Sequence, residues 1–138
     1  MEDSIQEYIK AGKGYSEQKN YDLAIKQFNK ALEGDCPNEE ANFELGKAYY
    51  LRGMFLEAVA ALEAAARINP DNIDSSILLA KSYQEQGKNE CASEIFKRIS
   101  SVGSVDDKAR MQLFEFFRAN KMYDLAIKEC EKISNGKA

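Results

Sequence analysis

Residues 21–32 read Tyr21-Asp22-Leu23-Ala24-Ile25-Lys26-Gln27-Phe28-Asn29-Lys30-Ala31-Leu32, and this segment sets the register of the whole chain. Ala24 has counterparts at Ala58, Ala92 and Ala126, each step being 34 residues. Phe28 maps in the same way to Leu62, Phe96 and Cys130, and Ala31 maps to Ala65, Ile99 and Ile133. Upstream, Tyr15 maps to Tyr49, Tyr83 and Phe117, while Gly12 maps to Gly46, Ala80 and Phe114. A fixed period held over four copies without an insertion is the mark of a stacked repeat array. Function is then to be sought on the surface that such an array builds.

Within each copy the apolar spacing of three and four predicts two helices around a short break. The expected pairs are 5–18/21–33, 39–52/55–68, 73–86/89–101 and 106–119/122–134. Gly34 to Asn38 supplies a helix stop and then an N-cap at Asn38. Gly53 is placed to stop the first helix of the second copy. Gly46, in mid-helix, costs roughly 1 kcal/mol against alanine, so it predicts a neighbouring helix at close range. In the fourth copy Ser104, with Asp107 three residues on, reads as a helix N-terminus.

These residues resemble the tetratricopeptide repeat. Leu45-Gly46-x2-Tyr49, Ala58-x3-Leu62 and Pro70 meet its pattern of Leu-Gly-x2-Tyr, Ala-x3-Phe and Pro. The other copies offer Ala11-Gly12-x2-Tyr15, Leu79-Ala80-x2-Tyr83 and Leu113-Phe114-x2-Phe117. Tyr8, Asn42, Ser76 and Arg110 stand where the pattern opens with Trp, and Pro37 falls one residue late. The resemblance implies an all-α, right-handed superhelical array of four antiparallel helix pairs. It implies one domain over 1–138, with repeats at about 5–38, 39–72, 73–106 and 107–138. A pentatricopeptide array, which would bind single-stranded RNA, steps by one residue more and carries more positive charge.

Composition narrows the class. Apolar residues make up 44% and charged ones 30%, a globular balance, and the net charge of −4 argues against a general nucleic-acid binder. The four copies carry about 0, −3, −1 and +2. With no apolar run of 18 residues, membrane insertion is not expected, and the acidic N-terminus lacks a signal-peptide layout, so a cytoplasmic chain is expected. Cys36, Cys91 and Cys130 share no short spacing and the chain has no histidine, so neither a metal site nor a cofactor is implied. Cys91 and Cys130 read as packing residues and Cys36 as an exposed thiol in a turn.

The resemblance also assigns faces. First helices would line a concave groove, which puts Ile9, Phe43, Ile77 and Met111 in one row. Lys13, Lys47, Lys81 and Glu115 form a second row, and Ser16, Tyr50, Gln84 and Arg118 a third, with Leu51 beside Tyr50. The first row either packs adjacent first helices together or forms the apolar floor of a peptide groove, oriented by the three lysines. The expected ligand is an extended or helical segment with apolar side chains and some acidic character. Some relatives grip a chaperone's C-terminal carboxylate with Lys and Asn side chains. Of that set only Lys13 is present here.

No enzyme is expected, because no histidine, phosphate-cradling Gly loop or convergent carboxylate pair can be argued from spacing. Glu39-Glu40 and Asp106-Asp107 sit where helix N-termini favour acids. Two further readings stand beside the groove: an accessory domain of a larger enzyme or complex, and self-assembly. For the latter, Leu125, Ile127, Cys130 and Ile133 would be partly uncovered in the fourth copy, and a second copy of the chain or further chain would cover them.

Overall fold

The computed structural model describes residues 2–34, 37–102 and 105–136, and among them all regular structure is helical. The helices are α1 (Glu2–Glu17), α2 (Tyr21–Ala31), α3 (Glu39–Arg52), α4 (Phe55–Ile68), α5 (Ile73–Glu85), α6 (Asn89–Ser100), α7 (Asp107–Ala119) and α8 (Tyr123–Gly136). They match the expected pairs to within a few residues, and α1 starts three residues earlier than its apolar spacing suggested. The expectation of one domain over 1–138 meets two compact units, Met1–Ala92 and Ser93–Ala138.

In the first unit α1 packs on α2 and α3 on α4, and each pair docks on the next helix through α2 with α3 and α4 with α5. Three helix starts, those of α2, α3 and α5, are fixed by asparagines. Asn20, Asn38 and Asn72 each accept a hydrogen bond through Oδ1, from the N–H of Leu23 (3.4 Å), Ala41 (2.9 Å) and Ser75 (3.2 Å). Gly53 ends α3 in the left-handed region, at φ 85°. The core joins Ile9, Ala24, Phe28 and Ala31 to Ala41, Leu45, Ala48 and Ala61.

Two of the helical glycines, Gly12 and Gly46, are explained by close approach. A Cβ at Gly46 would lie 2.5 Å from Leu62 Cγ and 3.4 Å from the Ala58 carbonyl oxygen, and one at Gly12 would run into the Phe28 ring. Burying Phe28 and Leu62 completely thus requires the missing side chain opposite.

The second unit keeps the helix pair but changes its contents. Asp106, not Ser104, caps α7: its Oδ1 accepts from the Ala109 N–H at 2.8 Å, while Ser104 lies outside the described residues. Phe96 and Phe116 stack tilted at 4.2 Å between centroids, Phe117 meets Phe116 edge to face at 5.8 Å, and Leu113 and Ile99 are buried as well. Cys130 is exposed rather than packed, and so is Cys91. At the glycine position of earlier copies α7 carries Phe114, which leaves no notch for a side chain at 130, and α8 buries Glu129 instead. Cys91 shares its register with the exposed Leu23 and Glu57, an outward-facing place. Cys36 lies outside the described residues.

Candidate functional site

Three first helices, α1, α3 and α5, lie side by side in the first unit, α3 touching both neighbours. This is the face on which the sequence places most of its candidate residues. Phe43 and Tyr50 on α3 are half-buried, so each holds its ring in place and still presents an edge. The Tyr50 ring meets Phe55 edge to face at 5.5 Å. Burial is the main reason that its phenol titrates above the usual range, and the nearby Glu85 carboxylate adds to it. Lys47 and Leu51 are exposed and Lys81 is half-buried.

Ile9 and Ile77 depart from the expected apolar floor. They are only 2% and 4% exposed and belong to the core, because a first helix must seal against the one beside it before it can offer anything to a ligand. Met111, the last of that row, is exposed on α7 of the second unit. There Glu115 and Arg118 pair with each other at 2.6 Å.

The lysine row is not uniform either. Lys13 Nζ bonds Glu40 Oε2 at 2.5 Å, and this hydrogen bond, with the Glu40 and Glu44 charges, holds the ammonium above the usual lysine value against the opposing effect of burial. Both partners are well exposed, so the bridge contributes little stability, about 0–1 kcal/mol. Its effect is local: Lys13 is already answered, whereas Lys47 and Lys81 have no ion-pair partner among the described residues. Beside it Ile9, Lys10, Gly14 and Glu17 of α1 and Glu40 of α3 line an open depression of about 400 Å³. A Cβ at Gly14 would meet nothing within 4 Å, so this glycine, unlike Gly12, has no packing reason among the described residues.

Several polar contacts escaped the sequence reading. Glu39 accepts from the side-chain amides of Asn69 (3.3 Å) and Asn72 (2.7 Å), tying the start of α3 to the turn before α5. The Tyr83 phenol donates to Glu63, and its pKa is pushed up to about 12 by burial and by that bond. In the second unit Arg110 Nη1 lies 3.0 Å from Glu129 Oε2, with Ser100 and Lys132 completing the carboxylate's partners. A repeat alignment could have flagged the last pair, since Arg110 and Glu129 replace Asn42 and Ala61 of the second copy.

On α8 Ile127 and Cys130 are exposed, and Leu125 and Ile133 are half-buried. Among the described residues no group of three His, Cys, Asp or Glu could hold a metal ion, and no helix is long and apolar enough to cross a membrane.

Two family models, both described as tetratricopeptide repeat, match residues 9–73 and 50–111. Together with the four-fold period and the paired helices, this decides the family. The chain belongs to the tetratricopeptide repeat proteins. Protein IFIT1 homolog B of Homo sapiens is 32% identical over 114 residues, a match that takes in 76% of this chain. The chain spans only 23% of that relative's length. Among solved structures, MamA is similar with a TM-score of 0.83 at 22% identity, over 96% of this chain and 78% of that one. The first tetratricopeptide domain of Spaghetti (RPAP3), solved with the HSP90 peptide SRMEEVD bound, gives a TM-score of 0.76 at 19% identity, over 86% and 97%. At these identities the two structures speak for the fold.

Proposed function

We propose that this chain is a non-catalytic protein-interaction module that holds a partner segment against its first helices, with Phe43, Tyr50 and Leu51 as apolar anchors and Lys47 and Lys81 as orienting charges. One observation carries the reading: two aromatic rings on α3 are half-buried rather than enclosed, next to lysines that have no ion-pair partner among the described residues. Pre-positioned aromatic edges bind with little ordering cost, and unanswered cations select an acidic partner. Ile9 and Ile77, buried in the core, leave the contact to these anchors. The solved relative that holds a peptide supports this use of the fold. We place the module in the cytoplasm, where exposed thiols such as Cys91 and Cys130 stay reduced.

The test is a peptide library selected on the purified chain, followed by titration of the recovered peptides. Binding in the micromolar range is expected, with Phe43→Glu weakening it roughly thirtyfold. Lys47→Glu with Lys81→Glu should slow association and flatten its salt dependence, while Lys26→Glu on α2 should change nothing. Peptides that ignore Phe43 and the lysines would refute the groove.

A second reading, self-association through α8, is favoured by the exposure of Ile127 and Cys130 one turn apart, with Leu125 and Ile133 at its margins. Solution mass should then fall to that of a monomer on Ile127→Lys. A chain that is monomeric at high concentration before substitution excludes it.

A further inference from the structure

The four copies serve as controls for one another at the corner between first and second helix. In the first copy the corner carries Ser16, Glu17, Asn20 and Asp22; in the third it carries Gln84, Glu85, Lys88 and Glu90, and in the fourth Arg118, Ala119, Met122 and Asp124. In the second copy the same four places hold Tyr50, Leu51, Met54 and Leu56, of which only the methionine recurs. Three of these are open to solvent: Leu51 is 49% exposed, Met54 37% and Leu56 68%. Large apolar residues clustered at one exposed corner are a contact surface by ordinary expectation, whereas scattered ones are not.

The fold does not ask for these side chains. Met54 is the N-cap residue of α4 and makes no side-chain cap bond, whereas Asn20 caps α2 from the same backbone conformation (φ −93°, ψ 75° against φ −95°, ψ 74°). An asparagine at 54 would therefore cap α4 without rearrangement. Leu56 occupies a first-turn place that is acidic in each other copy (Asp22, Glu90 and Asp124), where the helix dipole favours a negative charge. At both positions the local physics favours the polar residue and the sequence carries the apolar one.

Lys47, one turn before Leu51, belongs to the groove, whereas Met54 and Leu56 have acids for neighbours. Glu57 follows Leu56 in the first turn of α4, and Glu85 lies close enough to Tyr50 to act on its phenol. The nearby cation, Arg52, is tied to Asp22 at 3.0 Å. We propose that the α3–α4 corner, through Met54 and Leu56, receives a partner-protein segment with two or more large apolar side chains flanked by Lys or Arg. This goes beyond the groove reading. The groove's unanswered charges are cations and select acids, whereas the corner's are acids and select bases.

The experiment uses the double variant Met54→Asn/Leu56→Asp, which installs the first copy's residues, beside Phe43→Glu as the groove control. A random 12-residue peptide library is selected on the wild-type chain, and recovered peptides are resynthesised with one tryptophan. The chain itself has none, so peptide fluorescence reports binding directly. A class of peptides with paired large apolar residues flanked by Lys or Arg is expected. Its affinity should fall at least tenfold in the double variant and stay unchanged in Phe43→Glu, while the double variant melts no lower than wild type. Absence of that class, acidic flanks in place of basic ones, or equal binding to the double variant overturns the proposal. Loss in both variants overturns the separateness of the corner. A melting point several degrees lower would show that Met54 and Leu56 serve the fold. A dimer that the double variant dissolves would give the corner to a second copy of the chain and equally overturn it.

Discussion

Between α3 and α4 the closest approach is hydrocarbon against a missing side chain: Leu62, fully buried, fills the space that Gly46 leaves, with Ala58 beside it. Between α7 and α8 the glycine place carries Phe114, the leucine place carries the exposed Cys130, and the carboxylate of Glu129 is buried against Arg110. Both are antiparallel helix pairs from the same 34-residue pattern. The backbone arrangement therefore tolerates two different interiors, one closed by shape and one by a polar network. The two should fail differently when a single side chain is changed. Shape fails by the volume added or removed, whereas a buried ion pair fails by stranding the partner that remains.

The largest effect is expected from Glu129→Ala. Glu129 is fully buried and accepts from Arg110, Ser100 and Lys132, so its removal takes a carboxylate from a buried guanidinium, which keeps its bond to the Val102 carbonyl, and leaves a void in the pair. A loss of about 3–5 kcal/mol is expected from the urea midpoint. Arg110→Leu combined with Glu129→Leu should recover most of that loss, because a well-packed apolar pair replaces a buried ion pair at little or no net cost. If Glu129→Ala alone costs under about 1 kcal/mol, the fourth pair is held by its phenylalanines and the contrast with the second dissolves.

Ala58→Leu tests the other side. Ala58 has no exposed surface, and its carbonyl lies where a Gly46 side chain would point. Extra volume there should cost roughly 1–3 kcal/mol through strained rotamers or a widened helix pair. An unchanged denaturation midpoint would mean that the second pair has slack, and that closure by shape is the wrong description.

What the sequence made legible follows the same division. The 34-residue step placed all four helix pairs, the Asn38 cap and the reason for Gly46, because each rests on apolar spacing or on a residue with one local use. It did not show that Ile9 and Ile77 are core. A row facing along the first helices reads the same whether a ligand or a neighbouring helix covers it, and only the distance between helices decides. It also hid the Arg110–Glu129 pair, since charged residues in an amphipathic helix read as solvated until a partner is seen opposite. The apolar corner at Met54 and Leu56 was visible in principle. It required comparing the copies at their turns, where they differ, rather than at the packing positions, where they agree.

The smallest effect concerns the residue that turns the chain from first helix to second. Positions 19, 53, 87 and 121 share the register, and all four have positive φ: Lys19 and Lys121 at 61°, Gly53 at 85° and Gly87 at 78°. An L-residue in the left-handed region pays a steric cost that glycine avoids, although glycine also gives the unfolded chain more freedom to lose. Lys121→Gly should therefore stabilise the fourth pair by only about 0.5 kcal/mol, whereas Gly53→Lys should cost the second pair about 1 kcal/mol. The backbone bond from the Lys121 N–H to the Arg118 carbonyl, 3.1 Å long, is kept by either residue, so the substitution isolates the conformational term. A shift of a degree or two in melting point is within reach of calorimetry at this chain length. If Lys121→Gly lowers the melting point instead, the lysine side chain supplies something at that corner beyond the turn. The fourth pair would then depend on polar side chains at its rim as well as in its interior.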